Sequence, residues 1–265
     1  MAEAAAAWPL GPLPAVVGGE VAVPIGPEIA NSRGALFGGW FLGLVTEVAQ
    51  EVTGRRLRDL AVSYLRPAPA GADLVVRSSV VEPAGSLASV RIEARAEGEL
   101  VLVAVALTGP VPDSPSGASP PADVPPPDAC PPRTYASGPG TGASVLLDVR
   151  VARETVDARV GSSALLWGRL RCPVDEQVRL AVLSDHVPYL LRRALPEVGG
   201  VATVAASVRA TGAPVGEWVL LDVGLVALDE RLAVGRASMW SDGRLVGVAE
   251  QTARLFRRRS SRVPG

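Results

Sequence analysis

Three polar side chains interrupt apolar segments in the second half of the chain, and together they could activate a water molecule. Asp185 lies among leucines and valines at helical spacing, whereas Thr203 and Gln251 lie in strand-like runs. A buried polar group must be hydrogen-bonded or have a function. A carboxylate can take a proton from water, an amide can donate and accept, and a hydroxyl can complete the cage. These residue types could therefore hold and activate a water, and such a reaction requires no covalent intermediate.

Each of the three residues also has an ordinary structural interpretation. Asp185 is consistent with a buried carboxylate bonded to a neighbouring strand, Gln251 with a strand residue that faces solvent, and Thr203 with a β-branched strand former. His186 is the one histidine of the chain. A Ser-His-Asp triad with Ser184 is disfavoured, because consecutive helix positions diverge by about 100° and do not face one another.

The secondary-structure elements that must position these residues form a pattern that occurs twice along the chain. In the first copy a predicted helix over 35–52 precedes strand-like runs at 57–65, 73–81, 88–96 and 100–107. In the second copy strands at 145–151 and 164–171 precede a predicted helix over 176–194, and further strands follow at 201–210, 218–228, 232–241 and 245–256. The periodicities of the apolar residues support these assignments. The sequence Ser241-Asp242-Gly243 predicts a hairpin turn.

This repeat predicts an α+β fold made of two similar domains, each with a long central helix wrapped by a curved antiparallel β-sheet. We expect an N-terminal domain over 1–109, a proline-rich linker over 110–142, a C-terminal domain over 143–256 and a basic tail over 257–265. Pairing the two sheets edge to edge would remove two exposed edges. The helices would then meet near the junction, where a pocket is expected.

The composition excludes several classes of function. Every cationic side chain is an arginine, so lysine Schiff-base chemistry and a P-loop lysine are excluded. The formal net charge of -1 offers no basic surface for nucleic acid. Cys130 and Cys172 form no zinc motif, and we expect two free thiols and neither a metal nor a redox cofactor.

The chain is expected to lie in the cytoplasm and not to span a membrane. Its longest apolar run, 100–107, is far short of the roughly 20 residues that a membrane helix needs. Its start lacks the cationic region of a signal peptide.

Five short motifs carry a resemblance to a known family. They are Phe37-Gly38-Gly39, Tyr64-Leu65-Arg66-Pro67, Leu183-Ser184-Asp185, Glu217-Trp218-Val219-Leu220 and the strand residue Gln251. In their order and spacing they resemble the acyl-CoA thioesterase II (TesB-like) family, whose members carry two hotdog domains in one chain. The resemblance covers nearly the whole chain outside the linker.

The resemblance implies hydrolysis of an acyl-CoA or acyl-carrier-protein thioester, with a role in fatty acid metabolism. It implies that Asp185, Thr203 and Gln251 jointly hold the attacking water. Backbone N–H groups near Gly38 and Gly39, at the start of the first helix, could polarise the thioester oxygen. Hotdog folds bury pocket walls at interfaces, so a homo-oligomer is expected.

Further residues are candidates with open alternatives. Trp40 and Tyr189 are predicted as substrate-binding walls of an acyl pocket, although core packing would explain them equally well. Glu47 is a competing acidic residue on the first helix, with an offset from Gly38-Gly39 that looks one residue too long. Arg55, Arg56 and Arg58 could meet coenzyme A phosphates or form a solvated turn.

The chain departs from the family pattern in two places. Ala205-Ala206 replaces an Asp-His pair, and Ala210-Thr211-Gly212 replaces an aromatic-His-Arg-Pro stretch. These losses motivate an alternative function, an acyl-CoA or acyl-carrier-protein binding module without hydrolysis. A dehydratase or hydratase of the same fold is disfavoured because His186 is the one candidate base.

Overall fold

The computed structural model describes residues 13, 16–112, 117–134, 142, 145–157 and 160–257. Its helices are α1 (Gly38–Thr53), α2 (Glu176–Leu183) and α3 (Val187–Ala194). Its strands are β1 (Glu20–Pro24), β2 (Arg56–Tyr64), β3 (Asp73–Ala84), β4 (Leu87–Ala96), β5 (Glu99–Gly109), β6 (Leu147–Thr155), β7 (Ser163–Leu170), β8 (Val198–Ala210), β9 (Val219–Leu228), β10 (Leu232–Ser241) and β11 (Arg244–Arg257). The predicted strands are present, and β1 is a strand that the sequence analysis missed.

All eleven strands form one antiparallel sheet in the order β1-β3-β4-β5-β2-β8-β11-β10-β9-β7-β6. Read outward from the centre, β2-β5-β4-β3-β1 on one side matches β8-β11-β10-β9-β7 on the other. The two copies meet where β2 pairs with β8, from Asp59 opposite Arg209 to Ser63 opposite Ala205. The expected edge-to-edge pairing of two sheets is therefore confirmed.

The helix α1 is buried on nearly every side, as an apolar helix wrapped by a sheet should be. It ends at Gly54, whose left-handed φ of 61° lets its N–H bond the carbonyl of Gln50. Its neighbour α2 begins at Asp175, which bonds Gln50 Nε2 at 3.0 Å, while the carbonyl of Val182 near the end of α2 lies beside Gly39. The two helices therefore run antiparallel across the junction between the copies.

The prediction of a second long helix over 176–194 is wrong, because the chain breaks into α2 and α3 at Ser184, Asp185 and His186. Pro188 gives the physical reason: a proline inside a helix lacks the N–H for its bond and collides with the carbonyl four residues earlier, that of Ser184. Pro188 is instead tolerated in the first turn of α3. The break leaves the N–H of Val187, the first residue of α3, without an intrahelical partner.

The described part of the linker runs along the C-terminal half of the sheet. The indole N–H groups of Trp167 and Trp240 donate to the carbonyls of Pro125 and Ala118, at 2.8 and 2.9 Å. The segment 131–133 then pairs with β6, the last strand of the sheet. The linker thereby covers a strand edge that would otherwise be open. The predicted basic tail lies outside the described residues, apart from Arg257 at the end of β11.

Candidate active site

Asp185 lies in the break between α2 and α3, against the start of α1. Its side chain is almost fully buried, with the residue 4% exposed. A β-carbon added to Gly38 would come within 2.6 Å of Asp185 Oδ2. Glycine at position 38 therefore allows the carboxylate to approach the first turn of α1, where backbone N–H groups and the helix dipole favour a negative charge.

Gln251 lies on β11 and is held in one orientation. Its Oε1 accepts a hydrogen bond from the N–H of Val187 at 3.0 Å, and its Nε2 donates to Asp185 Oδ1 at 2.5 Å. The first bond identifies the amide oxygen, so the amide nitrogen must face the carboxylate. The break that contains Asp185 thus also provides the backbone donor that orients Gln251.

A β-bulge brings Thr203 to the same face of the sheet as Gln251. Gln251 pairs with Ala206 and Thr252 with Ala205, whereas Ala253 pairs with Thr203, so Val204 is an extra residue on β8. In a regular strand, positions 203 and 206 would point to opposite faces. The bulge reverses this alternation, and hydrogen bonding by the Thr203 side chain lowers the pKa of Asp185. The three predicted polar residues therefore converge.

The ionisation of Asp185 reflects two opposing effects. Burial raises the pKa of this carboxyl above its usual value. Hydrogen bonds from Gln251, the Gly39 N–H and Thr203 oppose that rise, as does the positive charge of Arg133. A carboxylate poised in this way can act as a base toward water when it is ionised.

His186 is completely buried and stays neutral. Burial lowers its pKa to about 3, and the charge of Arg133 acts in the same direction. Its Nδ1 lies 2.8 Å from the carbonyl of Leu183, so Nδ1 carries the proton and donates. The hydroxyl of Ser184 donates to the carbonyl of Ala181. These bonds direct Ser184 and His186 to separate backbone acceptors, and they do not form a Ser-His-Asp relay.

Two groups that the sequence analysis did not assign to the site interact electrostatically with Asp185. The hydroxyl of Tyr64 donates to the Gly38 carbonyl at 3.0 Å, and burial together with the Asp185 charge raises its pKa. The guanidinium carbon of Arg133, in the linker, lies 4.4 Å from the ring centroid of Tyr189, and its positive charge lowers the pKa of Asp185. Tyr64 belongs to a motif noted in the sequence, but the proline-rich context of Arg133 gives no signal of its position.

The other predicted residues fall into three places. Tyr189 is 9% exposed, and its hydroxyl donates to Glu154. Trp40 is fully buried in the hydrophobic core of the N-terminal half. Glu47 is half-buried nine residues along α1 from Gly38, about 13 Å at 1.5 Å per residue. Glu47 is therefore separate from the cluster around Asp185.

The arginines after α1 bind neighbouring protein groups. Arg56 forms ion pairs with Asp175 and Glu176 at 3.1 and 2.9 Å. Arg55 donates to the carbonyl of Ser86, and Arg58 donates to that of Thr211. The bonds of Arg56 and Arg58 hold the chain after α1 against α2 and the C-terminal half, whereas that of Arg55 joins it to the turn between β3 and β4.

Two joined copies of an antiparallel sheet packed on helices, α1 in the first copy and the broken pair α2 and α3 in the second, with a polar cluster where the helices meet, define a double-hotdog protein. The chain belongs to the acyl-CoA thioesterase family: the model of the acyl-CoA thioesterase N-terminal domain matches residues 27–109, and that of the C-terminal domain matches residues 122–255. Members of this family are thioester hydrolases. No sequence among the curated proteins matches the chain.

Solved structures share this fold over almost the whole chain. A putative thioesterase from Novosphingobium aromaticivorans is 27% identical, with a TM-score of 0.81 over 95% of this chain and 100% of that chain. A hotdog-fold protein of unknown function from Alicyclobacillus acidocaldarius is 20% identical, with a TM-score of 0.80 over 91% and 94%. The acyl-CoA thioesterase II TesB2 from Mycobacterium marinum is 20% identical, with a TM-score of 0.71 over 93% and 96%.

Two further observations concern the described residues alone. None of their helices has the length and apolar character needed to cross a membrane. Among the same residues, no group of three or more His, Cys, Asp or Glu side chains is arranged to hold a metal ion.

Proposed function

We propose that the protein hydrolyses acyl-CoA thioesters by direct attack of water at the Asp185 cluster. The observation that carries this proposal is the convergence of Asp185, Thr203 and Gln251 at the start of α1. A base, a hydroxyl and an amide are the groups needed to hold and deprotonate a nucleophilic water. Membership of the acyl-CoA thioesterase family supports the same reaction.

In the proposed reaction, water bound by Asp185, Thr203 and Gln251 attacks the thioester carbonyl carbon. Asp185 takes a proton from the water as the new C–O bond forms. The helix dipole at the start of α1, near Gly38 and Gly39, stabilises the negative charge on the carbonyl oxygen, whereas the Gly39 N–H itself bonds Asp185. The C–S bond then breaks, the proton returns to the leaving sulfur, and a carboxylic acid and a free thiol result.

The small apolar residues near the cluster support the proposal that the acyl part of the substrate binds beside Asp185. Ala205 and Ala206 stand on β8 beside Thr203, and Ala206 lies opposite both Val62 and Gln251 on the inner face of the sheet. Alanine side chains at these two positions supply neither an acid nor a base that would compete with Asp185. Trp40 and Tyr189 are proposed as more distant contacts of the acyl chain.

A role in fatty acid metabolism, a cytoplasmic location and a homo-oligomeric state belong to the same proposal.

The test is free-thiol release from short-, medium- and long-chain acyl-CoAs by the wild-type protein and by Asp185→Asn. We expect wild-type turnover and a loss of about 10²-fold or more in the variant, which is the scale for a lost general base. Asp222→Asn is a matched control, because Asp222 is a half-buried aspartate on β9. Saturable acyl-CoA binding without turnover would instead indicate the binding module, and a well-folded protein that neither binds nor hydrolyses acyl-CoAs would contradict the proposal.

A further inference from the structure

The linker is joined to β6 by a short antiparallel bridge that includes Arg133. The Arg133 N–H donates to the carbonyl of Val149 at 2.8 Å, and the Val151 N–H donates to the carbonyl of Pro131 at 2.9 Å. These bonds attach 131–133 to the edge of β6 in antiparallel register, with Pro132 opposite Arg150. The backbone of Arg133 is therefore fixed by the C-terminal half, although its sequence neighbourhood is that of a linker.

The side chain of Arg133 lies over the ring of Tyr189. Tyr189 follows Asp185 by four residues in the sequence. The guanidinium carbon is 4.4 Å from the centroid of the aromatic ring, a distance at which a cation is attracted to the ring face. The hydroxyl of Tyr189 is itself held by Glu154, and Glu154 also pairs with Arg193 at 3.0 Å. This arrangement fixes the ring that supports the Arg133 guanidinium.

Among the described residues, the charges around Asp185 are unevenly distributed. His186, the next residue in the chain, and Tyr64 are neutral groups, and Tyr189 is also neutral because burial and its bond to Glu154 raise its pKa. Glu154 carries a negative charge that Arg193 balances. Arg133 is thus the cation whose charge acts on the Asp185 carboxylate.

We propose that Arg133 is a positioning residue for thioester hydrolysis: its backbone bridge to β6 holds the guanidinium over Tyr189, and from there its positive charge acts on Asp185, the group that deprotonates water. This inference rests on the proposed function of the same site. Burial works against the ionised carboxylate, so a nearby cation has a direct effect on the fraction of active enzyme. The same cation also disfavours protonation of His186, which keeps a second positive charge out of the site.

The test compares Arg133→Gln and Arg133→Lys with the wild-type protein in the pH profile of kcat/KM for one acyl-CoA. In Arg133→Gln we expect the apparent pKa of the base to rise by about one pH unit, the lower end of the effect of a neighbouring opposite charge. The value of kcat/KM then falls about tenfold well below that pKa and stays nearly unchanged well above it. Arg133→Lys keeps the charge and should restore most of the wild-type profile. Arg91→Gln is the matched control, because Arg91 is an exposed arginine on β4 that pairs with Glu93.

A second measurement does not depend on turnover. The ¹³C carboxyl signal of Asp185, assigned by its loss in Asp185→Asn, can be titrated directly in the wild type and in Arg133→Gln. A raised carboxyl pKa in Arg133→Gln supports the inference even if no acyl-CoA of the panel is hydrolysed. An unchanged carboxyl titration overturns it. An equal loss of kcat/KM at every pH also overturns it, because that result indicates a structural or substrate-contact role for Arg133.

Discussion

Gln251 donates to Asp185 through Nε2 because its oxygen is already bound by the N–H of Val187. The pair joins the central part of the sheet to the break between α2 and α3. An amide in this orientation stabilises the ionised carboxylate and keeps it in a fixed position relative to the start of α1. The relationship depends on Pro188, which interrupts the helix and thereby releases the Val187 N–H.

Replacing Gln251 by glutamate should place two carboxyl groups in contact. The variant keeps the acceptor for Val187 but replaces the donor to Asp185. Two carboxylates at this distance cannot both ionise, so the pair should retain one proton near neutral pH. We expect kcat/KM at pH 7 to fall by about 10²-fold, the scale of a lost general base, with partial recovery at higher pH.

Glu250→Gln is the control for this change. Glu250 is the neighbouring residue on β11, and its side chain is exposed on the other face of the sheet. Its variant should keep the wild-type kcat/KM across the pH range. Full activity of Gln251→Glu at pH 7 would contradict the proposal that the Gln251 amide must bond Asp185 for Asp185 to act as the base.

The sequence predicted the strands well because their apolar periodicity and turn residues act locally. The turn at Asp242-Gly243 shows this, since both residues have the positive φ that a tight hairpin requires. The same reasoning overestimated the second helix. The helical spacing of apolar residues continues past Pro188, although a proline interrupts a helix at that point.

The site was less accessible to sequence reasoning. Asp185 and Gln251 were identified as polar residues in apolar elements, and the pattern of residue types was sufficient for that. The position of Thr203 depends on the bulge at Val204, which arises from pairing with a distant strand. Arg133 depends on where the linker runs, and no local pattern encodes that path.

Gly38→Ala should lower activity while leaving the fold intact. The added methyl group would approach Asp185 Oδ2 to 2.6 Å, so the carboxylate must move. Alanine at the first position of a helix is well tolerated. We expect kcat/KM to fall by about tenfold or more, because a small misplacement of a reacting group can cost two orders of magnitude, with a melting temperature close to that of the wild type.

Gly224→Ala provides the comparison for this glycine variant. Gly224 lies on β9, and a β-carbon built there meets no atom within 4 Å. Its variant should retain both activity and stability. Equal activity of Gly38→Ala and Gly224→Ala would show that the close approach at Gly38 has no role in the reaction.

The pH dependence of kcat/KM should follow the carboxyl group of Asp185. Because burial raises its pKa, activity should be lost on acidification at a pH above the ordinary aspartate value of 3.8. Below that pKa the loss should be about tenfold per pH unit, as for one required ionisation. His186 should add no inflection near 6.5, because its pKa is lowered to about 3.

The check is a profile of kcat/KM between pH 4 and pH 8, measured for the wild type and for His186→Asn. The two profiles should have the same shape. An inflection near 6.5 that disappears in His186→Asn would assign the base to the histidine instead.

Arg56→Gln should change stability slightly and leave substrate binding unchanged. The variant loses the ion pairs to Asp175 and Glu176, which are more than a third exposed and therefore contribute about 1 kcal/mol or less. Because these pairs tie the turn after α1 to α2, the expected effect is on urea unfolding. A severalfold rise of KM for acyl-CoA, with stability unaffected, would instead support a contact between Arg56 and the coenzyme A phosphates.

His186 should make the fold sensitive to mild acid. Its pKa is about 3 in the folded protein and about 6.5 in the unfolded chain, so the unfolded state binds the proton first as pH falls. The stabilising contribution is fully present above about pH 6.5 and is lost as pH falls toward 3, by about 1.4 kcal/mol per pH unit. Between pH 7 and pH 5 the free energy of unfolding should therefore fall by about 2 kcal/mol more in the wild type than in His186→Asn. Urea unfolding of both proteins at the two pH values measures this difference directly. Since the chain has a single histidine, parallel losses in the two proteins would mean that His186 can take up a proton without leaving its buried position.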